Sequence, residues 1–321
     1  MTDVVRNVAQ TERRSPRSWD LAPTSEPERQ AGPTTPAASI CIPVYNGGKY
    51  LRETLESVLS QTLNDLEIVV VDNASTDDTP EILSSFNDSR MRVIRNDEMV
   101  NVYENWTRAV AATTGPCVKC VAADDLLRPA CMERQVDAFE RYGEGIVLVS
   151  SKRDIVTSAG HVLIPHRGLG RLSGRIPGQV AIARCVRRGT NIFGEGAAVL
   201  AHGDSIRAAL PWPSDYPYMT DLVMWFRLLE EGDLVAVREP LAAFRAHDGS
   251  WSASVISAQA VQARELFESV ARSPESSVGP LELHIGRVRA AMLARLRPLA
   301  YLRVVSVAMG ALASLRAHTR R

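Results

Sequence analysis

Apolar segments of strand length alternate with helical patterns between residues 38 and 150. The apolar segments cover residues 38–44, 66–71, 91–94, 118–122 and 146–150. Helical patterns lie between them, over residues 49–61, 80–86, 103–112 and 129–142. Near-continuous apolar strands separated by helices are typical of a mostly parallel sheet covered on both faces. The sequence therefore predicts an open α/β fold with helices on both sides of the sheet.

The second half of the chain is less regular. Residues 151–218 are rich in Gly, Pro and Arg and contain one short apolar strand pattern, at residues 197–200. An amphipathic helix is predicted over residues 221–231, because apolar residues recur there at the spacing of one helix face. Those residues are Leu222, Trp225, Phe226 and Leu229.

Composition divides the chain into three parts. Residues 1–37 carry many Thr, Ser, Pro, Arg and Glu and few large apolar residues, which is typical of a disordered leader. Residues 38–255 contain the α/β pattern, and residues 256–321 are predicted to form a helical, basic C-terminal segment. Such a segment fits two arrangements: it lies on an anionic membrane surface, or it packs on the main domain with its arginines in solvent.

The balance of charge and the number of cysteines exclude several classes of protein. The chain has 321 residues with 37 Lys and Arg against 37 Asp and Glu, so it lacks the overall basic charge that nucleic-acid binding favours. Five cysteines are too few for a disulfide-stapled secreted scaffold, and we expect a reducing, cytoplasmic location. The longest late apolar stretch, residues 304–315, is shorter than the roughly 20 residues that a membrane span needs.

Three predicted strands end in polar loops that we expect at one edge of the sheet, where ligands bind in open α/β folds. These loops are residues 43–48, 72–78 and 124–125. The first lacks the GxGxxG pattern and the second lacks a P-loop, which disfavours a dehydrogenase or a P-loop ATPase.

Two interpretations are open for the acidic residues of the second loop. Asp72 follows a buried strand, where it either accepts a hydrogen bond from a nucleoside or opens an Asx-turn. Ser75 and Asp78 have the spacing of a capping box for the next helix.

Asp124 and Asp125 are adjacent carboxylates after an apolar strand. Buried together they would repel each other, unless a proton or a hard divalent cation relieves the repulsion. The alternative is that they begin a turn and cap the helix entered at Pro129.

Taken in order, six short motifs resemble those of family 2 nucleotide-sugar glycosyltransferases of the GT-A fold. The resemblance covers about residues 38–252. The motifs are Pro43-Val-Tyr-Asn46, Asp72-Asn-Ala-Ser-Thr-Asp77, Asn105-Trp-Thr-Arg-Ala109, Ala123-Asp-Asp125, Thr220-Asp-Leu-Val-Met-Trp225 and Phe244-Arg-Ala-His247.

The resemblance implies an inverting transfer of a sugar from a nucleotide-diphosphate sugar to a hydroxyl of a saccharide or lipid-linked saccharide. It implies a nucleotide-binding half at about residues 38–126 and an acceptor-side half at about 127–255. It also implies a divalent cation, Mg or Mn, as cofactor. The product would belong to surface polysaccharide or glycolipid synthesis. The protein would lie on the inner face of the cell membrane if the C-terminal segment binds there.

The resemblance also assigns roles to particular residues. Asp221 would be the catalytic base, and Glu195 is a weaker candidate for contact with the acceptor. The metal would be held by Asp124, Asp125 and His247. The nucleotide sugar would be bound by Pro43, Tyr45, Asn46, Asp72, Asn105, Arg108, Asp124 and Arg245.

Ala122 stands where many relatives have the first acidic residue of the DxD motif. This departure lowers the ligand charge and makes a catalytically silent nucleotide-sugar binding or scaffold protein a second hypothesis. Asp221 also suits an N-cap, and a helix N-terminus would favour its ionised form by roughly 0.3–1 kcal/mol.

Overall fold

The computed structural model describes residues 35–247, 249–250 and 258–296. Residues 1–34 of the predicted leader and residues 297–321 of the predicted basic segment lie outside these residues. The strands are β1 (Ala38–Val44), β2 (Leu66–Asp72), β3 (Met91–Arg95), β4 (Cys117–Cys120), β5 (Leu126–Leu127), β6 (Ile146–Val156), β7 (Val162–Arg167), β8 (Gly174–Ile176), β9 (Val199–His202) and β10 (Asp233–Arg245). The helices of the main domain are α1 (Leu51–Leu59), α2 (Thr79–Ser84), α3 (Val102–Ala111), α4 (Cys131–Tyr142), α5 (Gly178–Arg188), α6 (Gly203–Ala208) and α7 (Thr220–Glu231), with a 3₁₀ turn at Gly196–Ala198.

All ten strands belong to one sheet, whose main path runs β3-β2-β1-β4-β9-β6-β10-β5. The pairs among β1, β2, β3 and β4 are parallel, as is the pair of β6 with β10. Strand β9 runs antiparallel to both of its neighbours, and β5, β7 and β8 add antiparallel pairs. The predicted fold, an open and mostly parallel α/β sheet, is confirmed.

Each central strand is apolar throughout because its two faces are covered by different helices. In β1, Ile40 and Ile42 belong to the apolar cluster under α1, α2 and α4, whereas Cys41 belongs to the cluster under α3, α5, α6 and α7. In β2, Ile68 and Val69 divide in the same way. Full burial of such a side chain contributes about 1.5–3 kcal/mol, so both helical layers stabilise the sheet.

Strand β6 continues six residues beyond the predicted end at residue 150, to Val156. The extension was missed because it contains three charged residues, Lys152, Arg153 and Asp154, which break the apolar pattern. Arg153 and Asp154 are buried in the structure. Arg153 forms an ion pair with Glu195, and Arg128 Nη2 lies 2.7 Å from Asp154 Oδ2. These partners offset the cost of burying charge inside a strand.

Two helices follow the main domain, at Gln259–Arg272 and at residues 280–296. The second packs closely on α5: a Cβ added at Gly286 would lie 2.2 Å from the carbonyl oxygen of Val186. Arg289 Nη1 also donates to Arg187 O at 3.0 Å, at the end of α5. The predicted helical C-terminal segment is therefore confirmed as far as residue 296, whereas the tail arginines from Arg297 onward lie outside the described residues.

None of the helices in the described part of the chain is long and apolar enough to cross a membrane.

Candidate active site

The loops after β1 and β2 are joined through Asn46. Its backbone N–H donates to Ser75 Oγ at 2.9 Å, and its Oδ1 accepts from the backbone N–H of Thr76 at 2.9 Å. Asn46 adopts a positive φ of 49°, which Asn tolerates better than most residues. The predicted capping box is wrong, since Ser75 bonds to the neighbouring loop and Asp78, the N-cap of α2, makes no side-chain capping bond.

Two glycines extend this junction. Gly47 N–H donates to Thr79 Oγ1 at 2.8 Å, and Gly48 N–H donates to Asp77 Oδ2 at 2.9 Å. A Cβ added at Gly48 would lie 1.7 Å from Asp78 Oδ1, so the exposed Asp78 side chain would have to move to admit a larger residue here. The loop residues predicted to hold the nucleoside are therefore fixed by the neighbouring loop. Pro43 is buried within β1, whereas the Tyr45 side chain is exposed and free to contact a ligand.

Asp72 is buried at the end of β2, and both interpretations of it have support. Its Oδ1 accepts the backbone N–H of Ser75 at 3.0 Å, as a turn-forming aspartate would. Its Oδ2 forms an ion pair with Arg95, whose side chain is half exposed. The Asx-type turn is therefore present, and contact of Asp72 with a nucleoside beside Arg95 stays a prediction.

Asn105 lies in a buried network of asparagines that the sequence did not reveal. Asn96 Nδ2 donates to Asn73 Oδ1 at 2.9 Å and to Asn105 Oδ1 at 3.0 Å. Asn105 Nδ2 donates to Val71 O at 3.4 Å, and Arg108 Nη1 donates to Asn96 Oδ1 at 3.1 Å. These bonds hold α3 against the end of β2. They give Asn105 a positioning role, and direct contact of Asn105 or Arg108 with the donor stays a prediction.

Asp124 and His247 come together from distant parts of the chain. His247 Nε2 lies 2.8 Å from Asp124 Oδ2, and both side chains are partly exposed. The His247 ring also packs on Tyr50, with ring centroids 4.7 Å apart. A carboxylate oxygen and an imidazole nitrogen thus face the same edge of the sheet.

Asp125 points away from that pair. Its carboxylate is buried and accepts the backbone N–H of Arg245 at 3.0 Å. Burial and the neighbouring Asp124 raise its pKa well above the usual range, which favours the protonated form. Asp125 is therefore turned away from a metal at Asp124. The alternative that the pair caps the next helix is also wrong, because α4 begins at Cys131 after Ala130 and has no side-chain capping bond.

The side chain of Arg245 is fully buried, and each of its three nitrogens donates a hydrogen bond. Its Nε donates to Asp124 O at 2.9 Å, Nη1 to Ser158 O at 3.0 Å, and Nη2 to Glu53 Oε2 at 2.7 Å. The guanidinium also lies 4.7 Å from the centre of the Tyr50 ring. These contacts position Asp124, and contact of Arg245 with a diphosphate stays a prediction that would require one of them to be exchanged.

Glu195 precedes the 3₁₀ turn and forms an ion pair with the buried Arg153. Burial raises the pKa of this carboxyl, but the Arg153 charge and hydrogen bonds more than offset burial, and the net shift is downward. Glu195 is therefore held in its ionised form.

Asp221 differs from every other acidic residue of the site. It is the second residue of α7, not the N-cap, which is Met219. Within the described chain its carboxylate makes no hydrogen bond or ion pair. Burial, and next the negative charge of Glu195, raise its pKa to about 7, with Arg153 acting in the opposite direction. The sequence predicted that the helix N-terminus would keep this carboxylate ionised, and this prediction is wrong. The surroundings of Asp221 bring it close to half-protonation at neutral pH.

Comparison with known proteins identifies this arrangement. The sequence profile of Glycosyl transferase family 2 matches residues 39–168, which include both joined loops and the two aspartates after β4. Residues 39–168 of this chain therefore form a glycosyltransferase family 2 domain.

Curated relatives and solved structures resemble the chain over different lengths. Glycosyltransferase GlyG of Streptococcus pneumoniae is 33% identical over 112 residues, 34% of this chain and 37% of GlyG. The structure of Staphylococcus aureus TarS 1–349 with UDP-GlcNAc superposes with a TM-score of 0.60, 16% identity, and coverage of 81% of this chain and 72% of that one. The mannosyltransferase PcManGT of Pyrobaculum calidifontis, with GDP-Man and Mn²⁺, has a TM-score of 0.56, 19% identity, and coverage of 93% and 79%.

These two structures show the shared fold, and they themselves contain nucleotide sugars. The chain aligns with less than two thirds of the length of the first curated relatives that it matches.

The role of Asp125 can be tested by two substitutions. Asp125→Asn keeps an oxygen that accepts the Arg245 N–H, so we expect the fold and most of the activity to survive. Asp125→Ala leaves that buried N–H unpaired and should lower the free energy of unfolding by about 1–3 kcal/mol. Urea denaturation measures this difference. Equal destabilisation by both substitutions would contradict the assigned contact.

Proposed function

We propose that this chain transfers a sugar from a nucleotide-diphosphate sugar to a hydroxyl of an acceptor, with inversion at the anomeric carbon. The observation that carries the proposal is the Asp221 carboxylate, which has no protein partner in the described chain and a pKa of about 7. A group with this pKa is matched to taking a proton near neutral pH.

The chemistry needs one base on the protein. Asp221 takes the proton of the acceptor hydroxyl while that oxygen attacks the anomeric carbon from the face opposite the diphosphate. A glycoside hydrolase would also need a carboxylic acid to protonate a poor leaving group. A nucleoside diphosphate leaves without one when its charge is neutralised, so a single base is enough.

A divalent cation, Mg²⁺ or Mn²⁺, would be held by Asp124 and His247. No group of three or more acidic, His or Cys residues within the described chain could hold a metal by itself. Two protein ligands still fit such a cation, because Mg²⁺ usually takes one or two carboxylates and completes its shell with substrate phosphates and water. When bound, the cation supplies charge neutralisation at the leaving diphosphate. Because residue 122 is Ala and offers no carboxylate, substrate phosphates and water would supply more of the cation's ligands.

The donor would lie against the joined loops after β1 and β2, beside Tyr45, Asn46 and Asp72. The nucleotide sugars in the TarS and PcManGT structures support this class of donor. We propose residues 38–255 as the catalytic domain, with a donor half to about residue 126, and a saccharide or lipid-linked saccharide of surface polysaccharide or glycolipid synthesis as acceptor.

The second candidate is a catalytically silent nucleotide-sugar binding or scaffold protein, which Ala122 favours. A scaffold would bind a sugar nucleotide and release no free nucleoside diphosphate, so turnover separates the two.

Asp221→Asn tests the base. Asn fills the same space but cannot take a proton, so we expect kcat to fall by about 10²-fold or more with donor affinity unchanged. The parent's kcat should rise with pH through about 7, as Asp221 loses its proton. Coupled detection of released nucleoside diphosphate measures both.

Thermal melting gives a second readout. The raised pKa means that the fold favours protonated Asp221, so stability falls as the pH rises from the usual carboxylate range, near 4, to about 7. Asp221→Asn should therefore melt about 2 °C or more above the parent at pH 8. The exposed Asp215→Asn is the control and should change neither rate nor melting. Activity of Asp221→Asn near the parent rate would place the base elsewhere, with Glu195 next.

Chelation tests the cation. Excess chelator should abolish transfer, and Mn²⁺ or Mg²⁺ should restore it. Asp124→Asn should raise the metal concentration needed for half-maximal activity while the circular dichroism spectrum stays unchanged. The exposed Asp97→Asn serves as control. Full turnover in chelator would refute a metal-assisted reaction.

We further propose that the helix at residues 280–296 contacts an anionic membrane surface. Four apolar side chains on one side of this helix are half exposed or more: Leu281, Val288, Met292 and Leu296. Arg287 and Arg295 are exposed on the same helix, and this combination suits an anionic interface.

Flotation of the full chain with phosphatidylglycerol vesicles tests this contact. Leu281→Glu with Val288→Glu should reduce flotation, because charge replaces apolar surface at the interface. Val261→Glu, at an exposed valine on the preceding helix, should not. Unchanged flotation of the double variant would remove the membrane hypothesis.

A further inference from the structure

A cleft of about 340 Å³ lies between the main domain and the helix at residues 280–296. It is separate from the loops that would hold the donor. Its walls come from the end of β7, the end of α5, and that C-terminal helix. The lining residues are Arg167, Gly168, Gly170, Arg188, Thr190, Asn191, Ile192, Arg289, Met292 and Leu293.

The lining of this cleft carries three arginines and no acidic residue, although the whole chain has no net charge. Arg289 donates to Arg187 O, and Arg167 lowers the pKa of Glu195. Arg188 is exposed, and within the described chain its guanidinium makes no hydrogen bond or ion pair. At least one guanidinium is therefore available for an anion.

The turn at residues 168–170 leaves space for the Arg188 side chain beside the cleft. Gly168, Leu169 and Gly170 have consecutive positive φ values of 105°, 58° and 57°. A Cβ added at Gly170 would lie 2.9 Å from Arg188 Nη2. The turn therefore leaves room for the guanidinium where any side chain would crowd it.

The cleft lies next to the acceptor side of the active site. A Cβ added at Gly168 would lie 2.8 Å from Arg153 Nη1, and Arg153 is the partner of Glu195. The charge of Glu195 in turn raises the pKa of Asp221. The Arg153–Glu195 pair thus lies between the basic cleft and the proposed base.

We propose that this cleft binds a phosphate group carried by the acceptor, with Arg188 as a direct ligand. The inference rests on the proposed function and narrows its acceptor to phosphorylated saccharides. A guanidinium gives two parallel hydrogen bonds to a phosphate, and Ile192, Met292 and Leu293 offer apolar surface to the rest of the molecule. The alternative is that Arg188 only stabilises the C-terminus of α5 through its positive charge. That alternative predicts no phosphate binding in the cleft.

Inorganic phosphate and glycerol 3-phosphate are the probes, titrated against the full chain by ³¹P NMR at constant ionic strength. Arg188→Gln should weaken binding of both about tenfold or more, the usual effect of losing a charge-assisted hydrogen bond. Arg184→Gln is the matched control. It removes the same charge from an exposed position one turn earlier on α5, outside the cleft, and should bind like the parent.

Two outcomes of the phosphate titration overturn the proposal. Equal binding by all three proteins would place phosphate elsewhere, including at the donor site, and an equal loss in both variants would show only a general effect of charge. Vesicles of phosphatidylglycerol form a second arm. If Arg188→Gln weakens vesicle binding but not binding of soluble phosphates, the cleft serves a membrane headgroup and the acceptor role is wrong.

Measuring donor turnover distinguishes failure of the phosphate site from failure of the proposed function. Sugar nucleotides should stabilise the parent and both variants equally, and slow transfer to water should continue in all three. If no sugar nucleotide binds or turns over in any of them, the proposed function fails, whatever the phosphate titration shows. If donor turnover is normal and Arg188→Gln binds phosphate like the parent, only the acceptor-phosphate site fails.

Discussion

The guanidinium of Arg245 is fully buried and joins segments that are far apart in the chain. It bonds Glu53 on α1, the Asp124 carbonyl after β4 and the Ser158 carbonyl after β6, and it lies over the Tyr50 ring. Burying a charge costs several kcal/mol unless hydrogen bonds and an opposite charge compensate it, and here every nitrogen has a partner. The position of Asp124 at the sheet edge depends on this compensation.

A second buried arginine, Arg153, is compensated in the same way. Arg153 is buried inside β6 because Glu195 neutralises it, and the pair lies close to Asp221. Two ion pairs of the site therefore act in different ways. The Arg245–Glu53 pair fixes the backbone that carries Asp124, whereas the Arg153–Glu195 pair also sets the electrostatic environment of a third group.

Apart from the two-residue strand β5, the bounds of the strands and helices up to residue 150 could be predicted to within two residues. The prediction worked because the residues of each central strand alternate between two covered faces. The pattern failed where charges are buried, as at Arg153 and Asp154 in β6. The site was harder to predict for a different reason. Ser75 has the spacing of a cap, yet its partner is Asn46, 29 residues earlier, and no local pattern distinguishes these bonds.

The orientation of Asp125 also could not be predicted from the sequence. Adjacent carboxylates suggested a shared metal, but the chain relieves their repulsion by separating them: Asp124 faces His247, and Asp125 accepts a backbone N–H in a buried position that favours its protonated form. Asp221 is partly buried and has no protein partner among the described residues, so its ionised form is disfavoured. Leaving this carboxylate without a partner lowers the stability of the fold. It also raises the pKa of Asp221, so that the carboxylate can accept a proton near neutral pH.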